Sequence, residues 1–323
     1  MNPKDLRLVF MGTPALAAFS LRKLHEGGYN VVGVVTAPDK PAGRGLKLQP
    51  SEVKKYATEK NIPVLQPEKL KSPEFLEQLK SLAPDVQVVV AFRMLPEAVW
   101  SLPEKGTFNM HASLLPQYRG AAPINWAIIN GEKETGVTTF LLDREIDTGK
   151  ILFQERLDIF ENETAGSLHD RIMVVGADLV LKTIDALALN QVEPLDQSAL
   201  IAETSQLKKA PKIFKEDCLI DWKKPCHEVA NHIHGMSPFP GAFTVIEVDK
   251  REIILKIFEA EAREMTHSYN YGEIFSDGKS ILALATPDGI VEVKSLQMAG
   301  KKRMSTSDFL RGFRLDDRNN MPN

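Results

Sequence analysis

Along residues 1–189, short unbroken apolar runs alternate with stretches whose apolar residues recur every three or four positions. Residues 6–11, 31–36 and 85–92 are runs of the first kind, the last carrying Val86, Val88, Val89 and Val90. Residues 107–111 and 137–142 extend the series. Helical spacing fills residues 51–60, 73–82, 123–130 and 167–187, and Leu16, Phe19, Leu21 and Leu24 mark a helix that stops at Gly27-Gly28. Val-rich strands with no polar face, separated by helices, predict an α/β domain with a parallel sheet covered on both sides.

The pattern changes after Ala188. Residues 190–204 are aperiodic and read as a linker. One helix is predicted over 225–235, followed by strands at 242–248, 252–261, 273–275, 281–285 and 290–296. Pro287-Asp288-Gly289 supplies a turn, because Pro pre-sets φ and Gly tolerates positive φ. Five short strands predict a small barrel or sandwich. The expected boundaries are a first domain over 1–189, a linker over 190–206, a second domain over 207–313 and a polar tail over 314–323.

The chain has 323 residues, 43% hydrophobic and 26% charged, which fits two globular domains and excludes a disordered or fibrous chain. A net charge of −3 excludes polyanion binding by bulk charge, and residues 206–323, with 18 basic and 17 acidic side chains, are no basic domain. Two cysteines make no disulfide framework, which suits a reducing cytosol. The first ten residues have neither a secretory h-region nor an Arg/Ser-rich leader, and no apolar run approaches the roughly 18 residues of a membrane span. A cytoplasmic protein is expected, and a monomer, since no feature demands an interface.

Candidate chemistry concentrates in two places. On a strand over 107–111, Asn109 and His111 project from one face near its C-terminal end, where open α/β sheets place their sites. Asn can stabilise a developing oxyanion and His can shuttle a proton near neutral pH. A satisfied core histidine beside a strand-end turn residue is the alternative, and both readings stay open. Asp147, in Asp143-Arg144-Glu145-Ile146-Asp147-Thr148-Gly149, follows what reads as another parallel strand, leaving it at the same end as His111. An Asp there would orient the His; a plain Asp-Thr-Gly turn is the alternative.

Asn109-x-His111, Ser113-Leu114-Leu115-Pro116, Arg119-Gly120-Ala121-Ala122-Pro123-Ile124 and Asp147-Thr148-Gly149 together resemble the signature of the 10-formyltetrahydrofolate-dependent formyltransferases. The resemblance runs from Phe10-Met11-Gly12-Thr13-Pro14 through Ser237-Pro238-Phe239-Pro240-Gly241-Ala242 to Lys301-Lys302-Arg303. Within the family it is strongest to the branch that acts on initiator methionyl-tRNA. It implies a Rossmann-like, mostly parallel formyltransferase fold followed by an OB-like β-barrel, and a catalytic set of Asn109, His111 and Asp147. It also implies folate bound near Ser113, Leu114, Leu115 and Pro116, along residues 92–95 and 143–147. The implied reaction is direct transfer of formyl to the α-amine, with no metal and no covalent enzyme intermediate. Attack would give a tetrahedral oxyanion, for which Asn109 and protonated His111 are plausible donors.

The loop Gly43-Arg44-Gly45-Leu46-Lys47 lacks phosphate-loop spacing, and reads either as a solvated loop or, by the resemblance, as an insertion meeting the tRNA acceptor end. Arg44 and Lys47 are its candidate contacts, and Lys208, Lys209 and Lys212 those of a second basic cluster, for which a solvated face is the default. Cys218, Cys226, His227, His232 and His234 mimic a zinc constellation but lack paired C-x₂₋₄-C spacing. Gly12-Thr13-Pro14 lacks the order of a dinucleotide site. Departures from the family pattern are Gln117, the altered 92–96 turn, Glu145 and His234; the first three border the expected folate pocket, the fourth the tRNA-facing side. Rival readings are a formyltransferase on a small amine, a formyl-folate hydrolase, and a non-catalytic RNA binder on a degenerate fold.

Overall fold

The computed structural model describes residues 2–42, 47–201, 206–248 and 251–312. It divides into one compact unit of Met1–Gly120, Thr135–Leu157 and Arg171–Lys209, and a second of Ala121–Glu134, Asp158–Asp170 and Ala210–Asn323. The strands of the first unit are β1 (Leu8–Gly12), β2 (Val31–Val35), β3 (Val64–Leu65), β4 (Val86–Val90), β5 (Thr107–His111), β6 (Glu134–Leu141) and β7 (Ile151–Asp158). They form one sheet in the order β7-β6-β5-β4-β1-β2-β3. Its helices include α1 (Ala15–Glu26), α2 (Glu52–Glu59), α3 (Pro73–Ser81) and α4 (Glu97–Trp100). The side chains of Ser51 and Ser72 cap α2 and α3 by accepting from Lys54 N–H and Phe75 N–H.

β1 runs parallel to β2 and β4, and β4 parallel to β5. The chain leaves β1 for one side of the sheet and returns through β4 on the other, so the switch point of this open sheet lies at the C-terminal ends of β1 and β4. Gly12 ends β1 there: a Cβ would stand 2.5 Å from Ala17 Cβ and 2.8 Å from the Val90 carbonyl oxygen, a space only glycine leaves. Phe10, Phe108 and Phe140 are fully buried, each contributing roughly 1.5–3 kcal/mol.

β6 corrects the sequence reading. It is antiparallel to β5, with Phe108 opposite Leu141 and His111 opposite Thr138. A strand buried on both faces looks the same from its apolar run whichever way it points, so periodicity cannot give its direction. β7, the two-residue β3 and α4 are absent from the apolar pattern. Residues Lys40–Ala42 and Lys47–Gln49 pair as an antiparallel hairpin on either side of the 43–46 stretch.

The second unit holds α5 (Pro123–Ile129), the first turn of α6 (Ala165–Ala188) and α7 (Cys226–Gly235). Its sheet comprises β8 (Ala242–Val248), β9 (Arg251–Glu264), β10 (Ile274–Ser276), β11 (Leu282–Thr286), β12 (Gly289–Met298) and β13 (Met304–Ser305). The order is β8-β9-β12-β11-β10, with β13 on β12, and each pairing is antiparallel. The Pro287-Asp288 turn closes β11 onto β12, Thr286 facing Gly289. Among the described residues no helix is long and apolar enough to cross a membrane.

His234 sits in this unit's interior, 3% exposed, its Nε2 accepting from the Ala260 N–H at 3.3 Å. The position read as bordering a tRNA-facing side is therefore a core position. Burial holds both His232 and His234 below the usual imidazole value of 6.5. Their neutral forms are the folded forms, so the unfolded chain binds more protons and stability is lost as pH falls below about 6.5. Thermal melting is expected to drop between pH 7 and 5, each histidine contributing up to about 1.4 kcal/mol per pH unit. His234→Gln, which keeps an acceptor but no titrating ring, should flatten that slope in scanning calorimetry.

Candidate active site

Strand β5 carries Asn109 and His111 to the C-terminal edge of the sheet, next to the end of β4. His111 is buried, and its Nε2 lies 2.9 Å from the Tyr118 carbonyl oxygen. A carbonyl only accepts, so Nε2 carries the proton and the neutral ring keeps its lone pair on Nδ1. Nδ1 faces Asp147 Oδ2 at 3.8 Å, too far for a hydrogen bond. Asn109 is half-buried, and its amide has no hydrogen-bond partner among the described residues. The structure thus brings Asn109, His111 and Asp147 into one place.

Asp147 reaches this place although its preceding strand points the opposite way. The 142–150 loop folds back over the sheet edge, and Asp147 takes a left-handed conformation, φ +57°. Its Oδ2 accepts the Gly120 N–H at 2.9 Å. Its carbonyl and that of Gly149 both accept from Gln197 Nε2, at 2.9 and 2.8 Å. Gln197 Oε1 in turn accepts the fork of Arg119, Nη2 at 2.6 Å and Nε at 3.0 Å. Gln197 is 2% exposed and stands on a short 3-10 turn, Gln197–Leu200, inside the stretch that reads as linker. No pattern in the sequence marks it; only the fold reveals its partners. Gly149 is required too, since a Cβ there would overlap the Leu141 carbonyl.

The expected folate segment is mostly scaffold. Ser113, Leu115 and Pro116 are buried, and Leu114 is half-buried. Ser113 Oγ donates to the Gln117 carbonyl at 2.6 Å, while Thr138 Oγ1 donates to the Ser113 carbonyl and accepts from Leu115 N–H. Gln117, one of the departures, accepts the Lys208 N–H at 2.8 Å through Oε1, and the Lys208 carbonyl accepts from Tyr118 N–H at 2.7 Å. Residues 91–97 and 143–148 meet through Arg144 Nη2 and Glu97 Oε1, 3.2 Å apart. Met94 and Ile146 project exposed from these two loops.

Of the basic candidates, Arg44 lies outside the described residues, and of Lys47 only the backbone is described. Lys208, Lys209 and Lys212 are exposed, and Lys212 Nζ lies over the Phe214 ring, 5.4 Å from its centroid. Cys218 and Cys226 are buried. Burial, helped by the neighbouring Asp288, pushes the Cys226 thiol up to about 11.

Two family models account for most of the sequence: Formyl transferase over residues 6–184 and Formyl transferase, C-terminal domain, over residues 212–314. The chain belongs to the formyl transferase family. It is 53% identical to a methionyl-tRNA formyltransferase of Bacteroides thetaiotaomicron, with 98% of each chain covered. Its identity to that of Parabacteroides distasonis is 54%, covering 97% of this chain and 98% of the relative. Among solved structures it resembles WlaRD, a sugar 3N-formyl transferase, with TM-score 0.64 and 20% identity over 92% of this chain and 99% of that one. HypX from Aquifex aeolicus, solved with tetrahydrofolic acid, matches with TM-score 0.62 and 18% identity over 94% of this chain and 47% of that one. Both structures share the fold. Gln197 falls in the gap between the two family models.

Replacing Gln197 by Ala should leave the Asp147 and Gly149 carbonyls and the Arg119 fork unpaired, a cost of about 1–3 kcal/mol per buried group. Chemical denaturation should report that loss, and activity should fall with it because the loop bearing Asp147 is released.

Proposed function

We propose that this chain transfers the formyl group of 10-formyltetrahydrofolate to the α-amine of methionine esterified to initiator tRNA. The observation that carries the reading is the meeting of Asn109, His111 and Asp147 at the C-terminal edge of β5, in a family member more than 50% identical to methionyl-tRNA formyltransferases over nearly its whole length. A free amide and an imidazole with its lone pair turned to the site are the groups that formyl transfer requires. Such an enzyme works where tRNA is charged, in the cytoplasm.

The amine nitrogen bonds to the formyl carbon, giving a tetrahedral oxyanion, and the bond from that carbon to folate nitrogen then breaks. Asn109 donates its N–H to the oxyanion, whose negative charge is present only during reaction, so the bond favours the transition state. His111 takes the amine proton on Nδ1 and returns it to the departing folate nitrogen, and Asp147 stabilises the imidazolium between the two events. The Nε2–H bond to Tyr118 keeps Nδ1 as the reacting nitrogen. Folate is placed along Ser113, Leu114, Leu115 and Pro116, with contact through their backbone and Leu114, and against the exposed Met94 and Ile146. Arg44, Lys47, Lys208, Lys209 and Lys212 are assigned to tRNA phosphates.

The test is a transfer assay with 10-formyltetrahydrofolate and initiator methionyl-tRNA, read by mass analysis of the esterified amino acid. A single formyl gain on the initiator species and not on elongator methionyl-tRNA is expected. Asn109→Ala should lower kcat by roughly 10²–10³, and His111→Ala by roughly 10²–10⁴. Folate turnover without formylated tRNA would instead identify a small amine or water as the acceptor. Changing Lys208, Lys209 and Lys212 together to Gln should weaken tRNA binding uniformly and reduce its salt dependence, measured by filter binding from low to moderate salt.

A further inference from the structure

In the second unit, a groove of about 720 Å³ is lined by Phe214, Phe239, Ile254, Lys212, Lys215 and Lys256, among others, with no acidic side chain in its lining. Phe239 is 83% exposed, Phe214 58% and Ile254 47%. A second groove of about 650 Å³ shares Asn125 and Phe239 with the first, so the Phe239 ring stands as a ridge between the two. Exposed aromatic surface of this size is unfavourable in water and marks a contact site.

The chain around Phe239 keeps the ring from folding inward. Pro238 and Pro240 flank it. On one side the Ser237 carbonyl accepts the Gly166 N–H at 2.9 Å, and Gly166 leaves no room for a Cβ beneath Pro238. On the other, Lys256 Nζ donates to the Pro240 carbonyl at 2.8 Å, and the Gly241 N–H donates to the Met236 carbonyl at 2.8 Å. A rigid exposed ring beside three cations, with no anion in the lining, complements a flat apolar group joined to negative charge. Unpaired nucleotides have that composition: every base offers a face for stacking, and its phosphate pairs with lysine.

We infer that Phe239 is a stacking platform for an unpaired nucleotide of the RNA substrate. Phe214 lines the same groove, and Lys212 and Lys215 meet the adjacent phosphates. The inference deepens the reading of this chain as a tRNA-modifying enzyme and rests on it for the identity of the RNA.

The test uses the full chain with the single-stranded, CCA-ended arm of initiator tRNA as a fluorescent oligonucleotide, read by anisotropy in parallel with the transfer assay. Phe239→Ala should weaken oligonucleotide binding roughly 5- to 100-fold, the range measured for base–aromatic stacking. In the transfer assay it should raise KM for tRNA and leave kcat and KM for folate unchanged. Phe239→Trp should bind as wild type or tighter, whereas Phe239→Leu, apolar but without a ring, should behave like the Ala variant. Lys215→Gln should lower the slope of log K against log salt by about 0.7, one phosphate contact to a single strand. Thermal melting should be unchanged in all four variants, because the ring is exposed.

Equal binding by wild type and Phe239→Ala overturns the proposal. So does rescue by Leu, which would make the groove an apolar seat for a protein or small molecule. Failure of the wild-type chain to bind the oligonucleotide while it formylates tRNA also overturns it. Stacking-dependent binding with no transfer to tRNA would leave the platform standing and overturn the transferase reading instead.

Discussion

The carboxylate of Asp147, 2.9 Å from the Gly120 N–H and 3.8 Å from His111 Nδ1, ties the candidate site together. Asp147 comes from a loop whose preceding strand points away from the sheet edge where His111 lies. The loop must therefore double back, and Asp147 must hold a left-handed backbone conformation that non-glycine residues seldom take. Gln197 makes this arrangement stable by saturating the Asp147 and Gly149 carbonyls with its own amide, and Arg119 saturates Gln197. Asp147, Gly149, Gln197 and Arg119 partner one another in this chain of bonds, so removing one member strands the others.

The two ends of the site are held in different ways. Asn109 and His111 stand on a strand buried between two neighbours, so their positions follow from sheet pairing and from the aromatic core around Phe108 and Phe140. Tyr118 and Gly120 belong to the connection that follows β5, and their positions follow from individual hydrogen bonds to Lys208, His111 and Asp147. The rigid half supplies the amide and the imidazole. The hydrogen-bonded half sets which imidazole nitrogen is free. That division suits an enzyme that admits a large folate and a larger RNA, because loops adjust where strands do not.

In the second unit the same economy places polar groups inside and an apolar one outside. His234 fills a core position with a single accepted N–H, and its neutral form is part of the packing. Phe239, three residues past the Met236 cap of that helix, is held out in solvent by the hydrogen bonds to the backbone on either side of it. Apolar character alone would put Phe239 inside and His234 on the surface.

Much of the fold is legible in the apolar pattern. The Val-rich runs mark β1, β2 and β4, and the Ser caps and Gly stops bound α1, α2 and α3 within a residue or two, because local period and capping chemistry are properties of adjacent residues. Asn109 and His111 are also legible, since two residues apart on a strand means one shared face. Tertiary structure alone decides the rest. The direction of β6 depends on which neighbour it pairs with, and an apolar run carries no arrow. Gln197 meets Asp147 across fifty residues of chain, from a stretch with no period at all. His111 keeps its lone pair on Nδ1 only because a carbonyl seven residues on accepts from Nε2. Sequence fixes what each residue can donate, accept or bury; which partner is within three ångströms is settled when the chain closes on itself.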